Sequence, residues 1–397
     1  MTTTARPGSL WRVPGIRAMF LANIAGFLSF FLTLGALPAW AAANGHPRTV
    51  VGTVSTAMLL ATLATQASAP ALMRAVRTRT LVIAGLLLLG VPSPLYLVAT
   101  ELWSLYGLSV VRGVGFGLLT VIGAVVIPQA APRERQGEAI GIYGLAAAVP
   151  NMFAVSLGAA LTLSGSFVWV AGLAAVPVLA LLGCGGVTAG RQQTEPGLLR
   201  RLPGVVRRLL LPSTLLFLVT LSGGGLVTVL PLELPEGSVA ALTLLLFGAT
   251  GTVARWRVGR VTDRIGHRVV EPVLTTLGVL GLGLLAVGLH TGSTAALMVG
   301  AALFGVAFGA LQSVTLDVSM RRAPGDPATV SAVWNAAFDG GTAVGAAVIG
   351  YLAGTALGAA WAMGLGALGL AVVLAVVISR LRARGEDAPS ALARRTT

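Results

Sequence analysis

Two ionisable residues stand inside long apolar runs: Asp339 in SAVWNAAFDGGTAVGAAVIGY (331–351) and Arg112 in RGVGFG (112–117). A carboxylate so placed can take up and release a proton, or hold a cation. A guanidinium keeps its proton, but it can favour the ionised form of a nearby carboxylate or pair with it. Such groups are costly in hydrocarbon, and each is therefore a functional candidate. Asp339 lies 12 residues past Pro327, about 18 Å along a helix, too deep for so short a side chain to reach water. Ser331, Asn335, Asp339 and Thr342 fall on one helical face, so Asn335 joins Asp339 as a proton-coupling or substrate-binding candidate. Arg112 lies 9 residues past Trp103, about 14 Å deep. Whether Arg112 and Asp339 meet stays open.

Uncharged residues that can line a cavity are Asn23, Gln66, Asn151 and Gln312, with Phe27, Phe30, Phe31 and Trp334 as apolar wall. His46, His267 and His290 are scattered and form no metal site, and the lone Cys184 can make no internal disulfide. With no nucleotide-binding loop and no clustered His and carboxylate residues, the chain is expected to carry no metal and no cofactor, and to be no enzyme.

These residues must be positioned by membrane helices. Of 397 residues, 55% are hydrophobic and only 10% charged, and the mean hydropathy is +0.88; a soluble domain has about 25% charged residues. Twelve apolar runs, from 18–40 to 357–379, are each long enough to cross a bilayer. The net charge of +14 comes from 27 basic residues, all arginine. Numbering the spans puts 25 of them on one side, only Arg48 on the other and Arg112 within a span. The positive-inside rule makes the richer side cytoplasmic, with both termini inside. That accounts for the basic charge without a nucleic-acid partner. The first span has no recognisable cleavage site and is expected to remain as an anchor. Arginine without lysine, amid abundant Ala, Gly and Val, suits a GC-rich genome and a bacterial plasma membrane.

The runs fall into two halves. GVGFGLL from Gly113 matches GVAFGAL from Gly305 at an offset of 192, and PALMRAVRTRTLV from Pro70 faces GRVTDRIGHRVV from Gly259 at an offset of 189. The expected fold class is thus all-α, with twelve transmembrane helices in two pseudo-symmetric six-helix halves and a substrate site between them. The expected divisions are 1–189, a basic linker 190–209, 210–379 and a tail 380–397. Asp339 maps by the repeat onto Ala147, Asn335 onto Tyr143, and Arg112 onto Phe304. Neither charge is something the scaffold needs twice.

GRVTDRIGHRVV carries Gly259, Asp263, Arg264, Gly266 and Arg268 at the spacing Gly, three residues, Asp, Arg, any, Gly, any, Arg. This resembles the loop motif of the major facilitator superfamily, in the loop where that superfamily's second half repeats it. Twelve spans and a basic central loop extend the resemblance over the whole chain. The resemblance implies rocking of two halves, with this loop as a latch closing the cytoplasmic side. The first half departs from the pattern, with Arg74 at the position of Asp263; Asp326 is its candidate partner with the charges exchanged. RGVGFG resembles a fourth-span motif associated with proton coupling, one residue shorter than the usual form. The fifth-span antiporter signature is broken, since Pro150 has no glycine before it. The resemblance to exporter-like, drug- or arabinose-efflux members implies a secondary transporter. Its expected action is proton-coupled efflux of a small apolar or amphiphilic compound, as a monomer, with protons and the lipid bilayer as partners. Uptake by symport is the alternative, and a polytopic membrane enzyme the remote one.

Overall fold

The computed structural model describes residues 9–132, 135–187, 190, 198–234, 237–323 and 327–393, and among these it holds helices and no strand. The helices are α1 (Pro14–Ala43), α2 (Arg48–Ala75), α3 (Thr78–Gly90), α4 (Leu102–Gln129), α5 (Gln136–Leu163) and α6 (Phe167–Ala174). There follow α7 (Leu198–Glu233), α8 (Gly237–Ile265), α9 (His267–Thr291), α10 (Thr294–Arg322), α11 (Pro327–Ala353) and α12 (Gly358–Ala393). Two are short because prolines, which lack the N–H an α-helix needs, turn the chain into 3-10 helix at Pro94–Leu97 after α3 and at Val176–Gly186 after α6. With those extensions, twelve described segments are long and apolar enough to span a membrane. Two helices run further than expected. Helix α7 begins at Leu198, inside the stretch read as a linker, and α12 runs on to Ala393, inside the stretch read as a tail. At the start of α7 the arginines alternate with apolar residues at helical spacing, which buries Val205 and Leu209 against Ala323 and Val330.

The chain forms two compact units, one holding α1 to α6 (α2 from Thr53 on), the other α7 to α12 (α8 from Ser238 on). Within each, backbones meet through glycine. A Cβ on Gly113 of α4 would collide with the Met58 carbonyl of α2, and one on Gly305 of α10 with the Phe247 carbonyl of α8. One turn on, Gly117 lies against Thr62, and Gly309 against Gly251. The paired positions differ by 192 on α4 and α10, and by 189 on α2 and α8. The offsets read from sequence are therefore the offsets of the packing itself. Gly341 and Gly345 of α11 likewise sit against Phe217 and Leu221 of α7, as small residues do at membrane helix interfaces.

Candidate functional site

In the first unit Arg112 is fully buried. One terminal nitrogen of its guanidinium donates to the Leu89 carbonyl and to Ser93 Oγ. The other donates to the Ser29 carbonyl and Ser29 Oγ, both at 3.1 Å, and to Thr33 Oγ1 at 2.9 Å. Ser29 and Ser93 in turn donate to the Ala174 carbonyl at 2.6 and 3.0 Å. The Tyr96 ring lies 5.8 Å from the guanidinium carbon. One side chain of α4 thus ties α1, the end of α3 and the end of α6. All these hydrogen-bond acceptors are neutral oxygens, and Nε alone lacks a partner.

A second polar group in this unit surrounds Thr120 of α4. Gln66 Nε2 of α2 reaches Thr120 Oγ1 at 3.4 Å, and the Tyr143 hydroxyl of α5 donates to the Thr120 carbonyl at 3.0 Å. Asn23 of α1 lies one turn away against Gly123, in space that a Cβ there would fill. Phe27 packs edge-on to Tyr143 (6.1 Å) and to Phe116 (5.3 Å), and Phe30 stacks on Phe116 at 3.6 Å. Of the four cavity candidates, Asn23 and Gln66 meet α4 one turn apart, at Gly123 and Thr120. Asn151, about two turns along α5 from Tyr143, is half-buried and takes no part in these contacts.

In the second unit Gln312 of α10 is buried, and its Oε1 accepts from Arg255 of α8 at 2.9 Å. Trp334 Nε1 of α11 donates to Thr315 Oγ1 at 3.2 Å, and its ring stacks on Phe338 at 5.6 Å. Asp339 is 7% exposed. Asn335, one turn earlier, is exposed and donates to the Ser331 carbonyl at 2.9 Å. The polar face of α11 is therefore graded, open at Asn335 and closed at Asp339.

The arginine-bearing end of the second unit holds the loop motif. Asp263 and Arg264 are exposed in the last turn of α8, and Arg268 is exposed in the first turn of α9. Gly266 between them has φ of 79°, a conformation that side-chain-bearing residues resist; the turn needs glycine there. Gly259 meets no neighbour within 4 Å. Asp317 of α10 accepts from Arg321 Nε at 2.9 Å and lies 4.0 Å from His267 Nδ1. A cavity of about 210 Å³ is lined by His267, Arg268, Glu271, Arg321 and Arg322 over an apolar floor. Arg74 is exposed at the end of α2, and its candidate partner Asp326 lies outside the described residues. Among the described residues no group of His, Cys, Asp and Glu can hold a metal.

The family model of the Major Facilitator Superfamily matches residues 19–346, most of the chain. The chain belongs to the major facilitator superfamily. Solved structures of this fold include a nucleoside transporter, NupG, in a D323A mutant, with 15% identity, TM-score 0.71, and 91% of this chain and 99% of that chain covered. A bacterial homologue of the human lysosomal transporter Spinster, inward-facing and occupied, gives 14% identity and TM-score 0.70 over 94% and 98%. A POT family transporter in complex with 5-aminolevulinic acid gives 13% and 0.68 over 92% and 95%. At such identities the likeness is one of fold. No curated protein sequence matches the chain. This superfamily member is a multi-pass membrane transporter.

Sequence reasoning overlooked Arg255, Thr120 and Tyr143 in this transporter. By sequence Arg255 falls among the 25 arginines of one side, but α8 runs on to Ile265 and carries it inside the helix. The repeat held the signal. An offset of 189 takes Gln66 to Arg255, and 192 takes Thr120 to Gln312. Each half thus bridges its second span to its fourth at the same repeat position. Gln66, Thr120, Arg255 and Gln312 stand nine or ten residues from the arginine-bearing ends of their helices, roughly 14–15 Å.

Proposed function

We propose that this superfamily member exports a small amphiphilic compound in exchange for protons. It does so by alternating access, as a monomer in a bacterial plasma membrane. Asp339 carries the reading. It is a carboxylate 7% exposed in α11, at a repeat position where the other half has Ala147. A group so placed is useful when it is charged in one step and neutral in another. The proposal gives coupling to Asp339 and places Asn335 at the open end of the same face. Arg112 serves as the tie that holds the first half rigid while the coupling step occurs. The loop of Gly259, Asp263, Arg264, Gly266 and Arg268 is proposed as the latch of the cytoplasmic side. Cytoplasmic termini follow from the arginine distribution.

The test is accumulation of a panel of labelled amphiphilic compounds in cells with and without the protein, repeated with a protonophore. Export should lower accumulation, and the protonophore should restore it. Asp339→Asn should lower coupled export at least about tenfold, which corresponds to about 1.4 kcal/mol, while leaving the amount of folded protein unchanged. Protonophore-insensitive export would remove proton coupling, and normal coupled export by the variant would remove the role of Asp339.

A further inference from the structure

Two buried carboxamide oxygens in the first half have no hydrogen-bond partner, Oδ1 of Asn23 and Oε1 of Gln66. In this arrangement the nitrogen of each amide is engaged. Asn23 Nδ2 donates to the Met19 carbonyl at 2.8 Å; turning the amide over would set two oxygens against each other. Gln66 Nε2 faces Thr120 Oγ1, whose own proton goes to the Gly117 carbonyl at 3.1 Å, so that hydroxyl accepts there. In each amide one N–H is engaged and the oxygen is left over. Asn23 is 1% exposed, so this is no fringe group in contact with solvent.

The two side chains approach neighbouring positions of one helix. Asn23 lies against Gly123 and Gln66 against Thr120, three residues apart and hence on one face of α4. Tyr143 joins the same turn through the Thr120 carbonyl, and its ring meets Phe27, which stacks on Phe31 at 6.0 Å. Gln66, Tyr143 and Phe31 are half-buried, while Asn23 forms the closed end. Asparagine, glutamine, threonine and tyrosine make up the polar part, with no formal charge. The Arg112 guanidinium is directed to other oxygens. A buried acceptor left unfilled is unfavourable, and more so where there is no water to fill it. A ligand that brings a donor removes that penalty.

We infer that this is the polar end of the transporter's substrate site, and that it selects an uncharged compound with a flat ring bearing N–H or O–H donors. The inference rests on the transport reading above. The carboxamide oxygens take the donors, and the aromatic edge of Phe27, Phe31 and Tyr143 takes the ring. Because the site's own groups leave these two acceptors unfilled, it rejects the same ring once the ring's donors are capped. A site built to hydrogen-bond a donor discriminates strongly against an analogue that lacks it.

The probes are indole against 1-methylindole, uracil against 1,3-dimethyluracil, and 4-ethylphenol against 4-ethylanisole. Binding is read as thermal stabilisation of the purified full chain, and transport as counterflow in proteoliposomes. At least one donor-bearing member should bind, and its capped twin should bind about tenfold more weakly or worse. Asn23→Leu and Gln66→Leu, which remove the acceptors at similar volume, should erase that preference. Wild-type chain that binds no donor-bearing probe, or binds capped and uncapped members equally, overturns the inference. So does a folded variant that keeps the preference. Because the capped pairs are compared on the wild type, misfolding of a variant leaves the comparison decisive. Proton-linked export of charged or donor-free compounds, with none of these probes bound, sinks this inference and leaves the transport reading standing. Binding of the probes without counterflow of any compound does the reverse.

Discussion

At the repeat positions Thr120 and Gln312 the two halves differ. The first joins α2 to α4 through two uncharged groups, Gln66 and Thr120, 3.4 Å apart. The second joins α8 to α10 through a guanidinium and a carboxamide, Arg255 and Gln312, 2.9 Å apart. Around these bridges the backbones repeat, with Gly113 and Gly305 pressed on equivalent carbonyls. The deep charges do not repeat: Arg112 faces Phe304 across the repeat, and Asp339 faces Ala147. Duplication kept the helix packing, which depends on the absence of side chains. The polar positions were free to diverge, because a hydrogen bond between two side chains can be rebuilt from other pairs. The comparison teaches that position in the repeat identifies a scaffold residue, and departure from it identifies a chemical one.

The sharpest way to break the comparison is at the glycines. Gly113→Val and Gly305→Val should each prevent accumulation of folded protein, by similar amounts, as read by fluorescence size-exclusion of detergent extracts. A large difference between the two would mean that the halves do not share a scaffold. Next in size is the pair Arg112 and Phe304. Arg112→Met leaves several buried oxygens without a donor, at about 1–3 kcal/mol for each one not re-paired, so a marked fall in melting temperature is expected. Phe304→Met, which conserves apolar character, should cost less than about 1.5 kcal/mol. Equal losses would make Arg112 an ordinary packing residue. The smallest effect is expected at Arg255→Gln, which makes the second bridge neutral like the first. Stability should change by about 1 kcal/mol or less, while the preference among substrates of different charge should shift in counterflow. An unchanged preference would place Arg255 outside the substrate path.

Much of the fold was legible because membrane helices declare themselves by length and hydropathy, and because the glycine spacing repeats without gaps. Helix ends were less so. Arginine at Arg255 signals an end to hydropathy counting, yet the backbone bonds of α8 continue past it to Ile265. The helical start of α7 was hidden in the same way, since Val205 and Leu209 are buried between arginines. Among the candidate residues, Asn23 and Gln66 in the first half and Gln312 in the second stood out as polar residues in apolar runs. Thr120 and Tyr143 did not, because hydroxyls are common in membrane helices and only their meeting with Gln66 distinguishes them. What Arg112 holds was also beyond reach, because its five acceptors are two backbone carbonyls and three hydroxyls of α1, α3 and the turn after α3, which no spacing in α4 announces.

The Arg112 tie also has an electrical side. Among the described residues no acid shares its charge, and a guanidinium does not shed its proton, so the first half carries a fixed positive unit at every physiological pH. A membrane potential acts on that unit whenever the half moves along the field. A full crossing against 100 mV is worth about 2.3 kcal/mol, and a displacement through a fifth of the field about a fifth of that. Asp339 enters the electrical balance only when it is ionised, whereas Arg112 enters it always. On the coupling role proposed for Asp339, protonation changes the electrical response of the second half, where Arg255 adds a constant charge of its own, and leaves that of the first half unchanged.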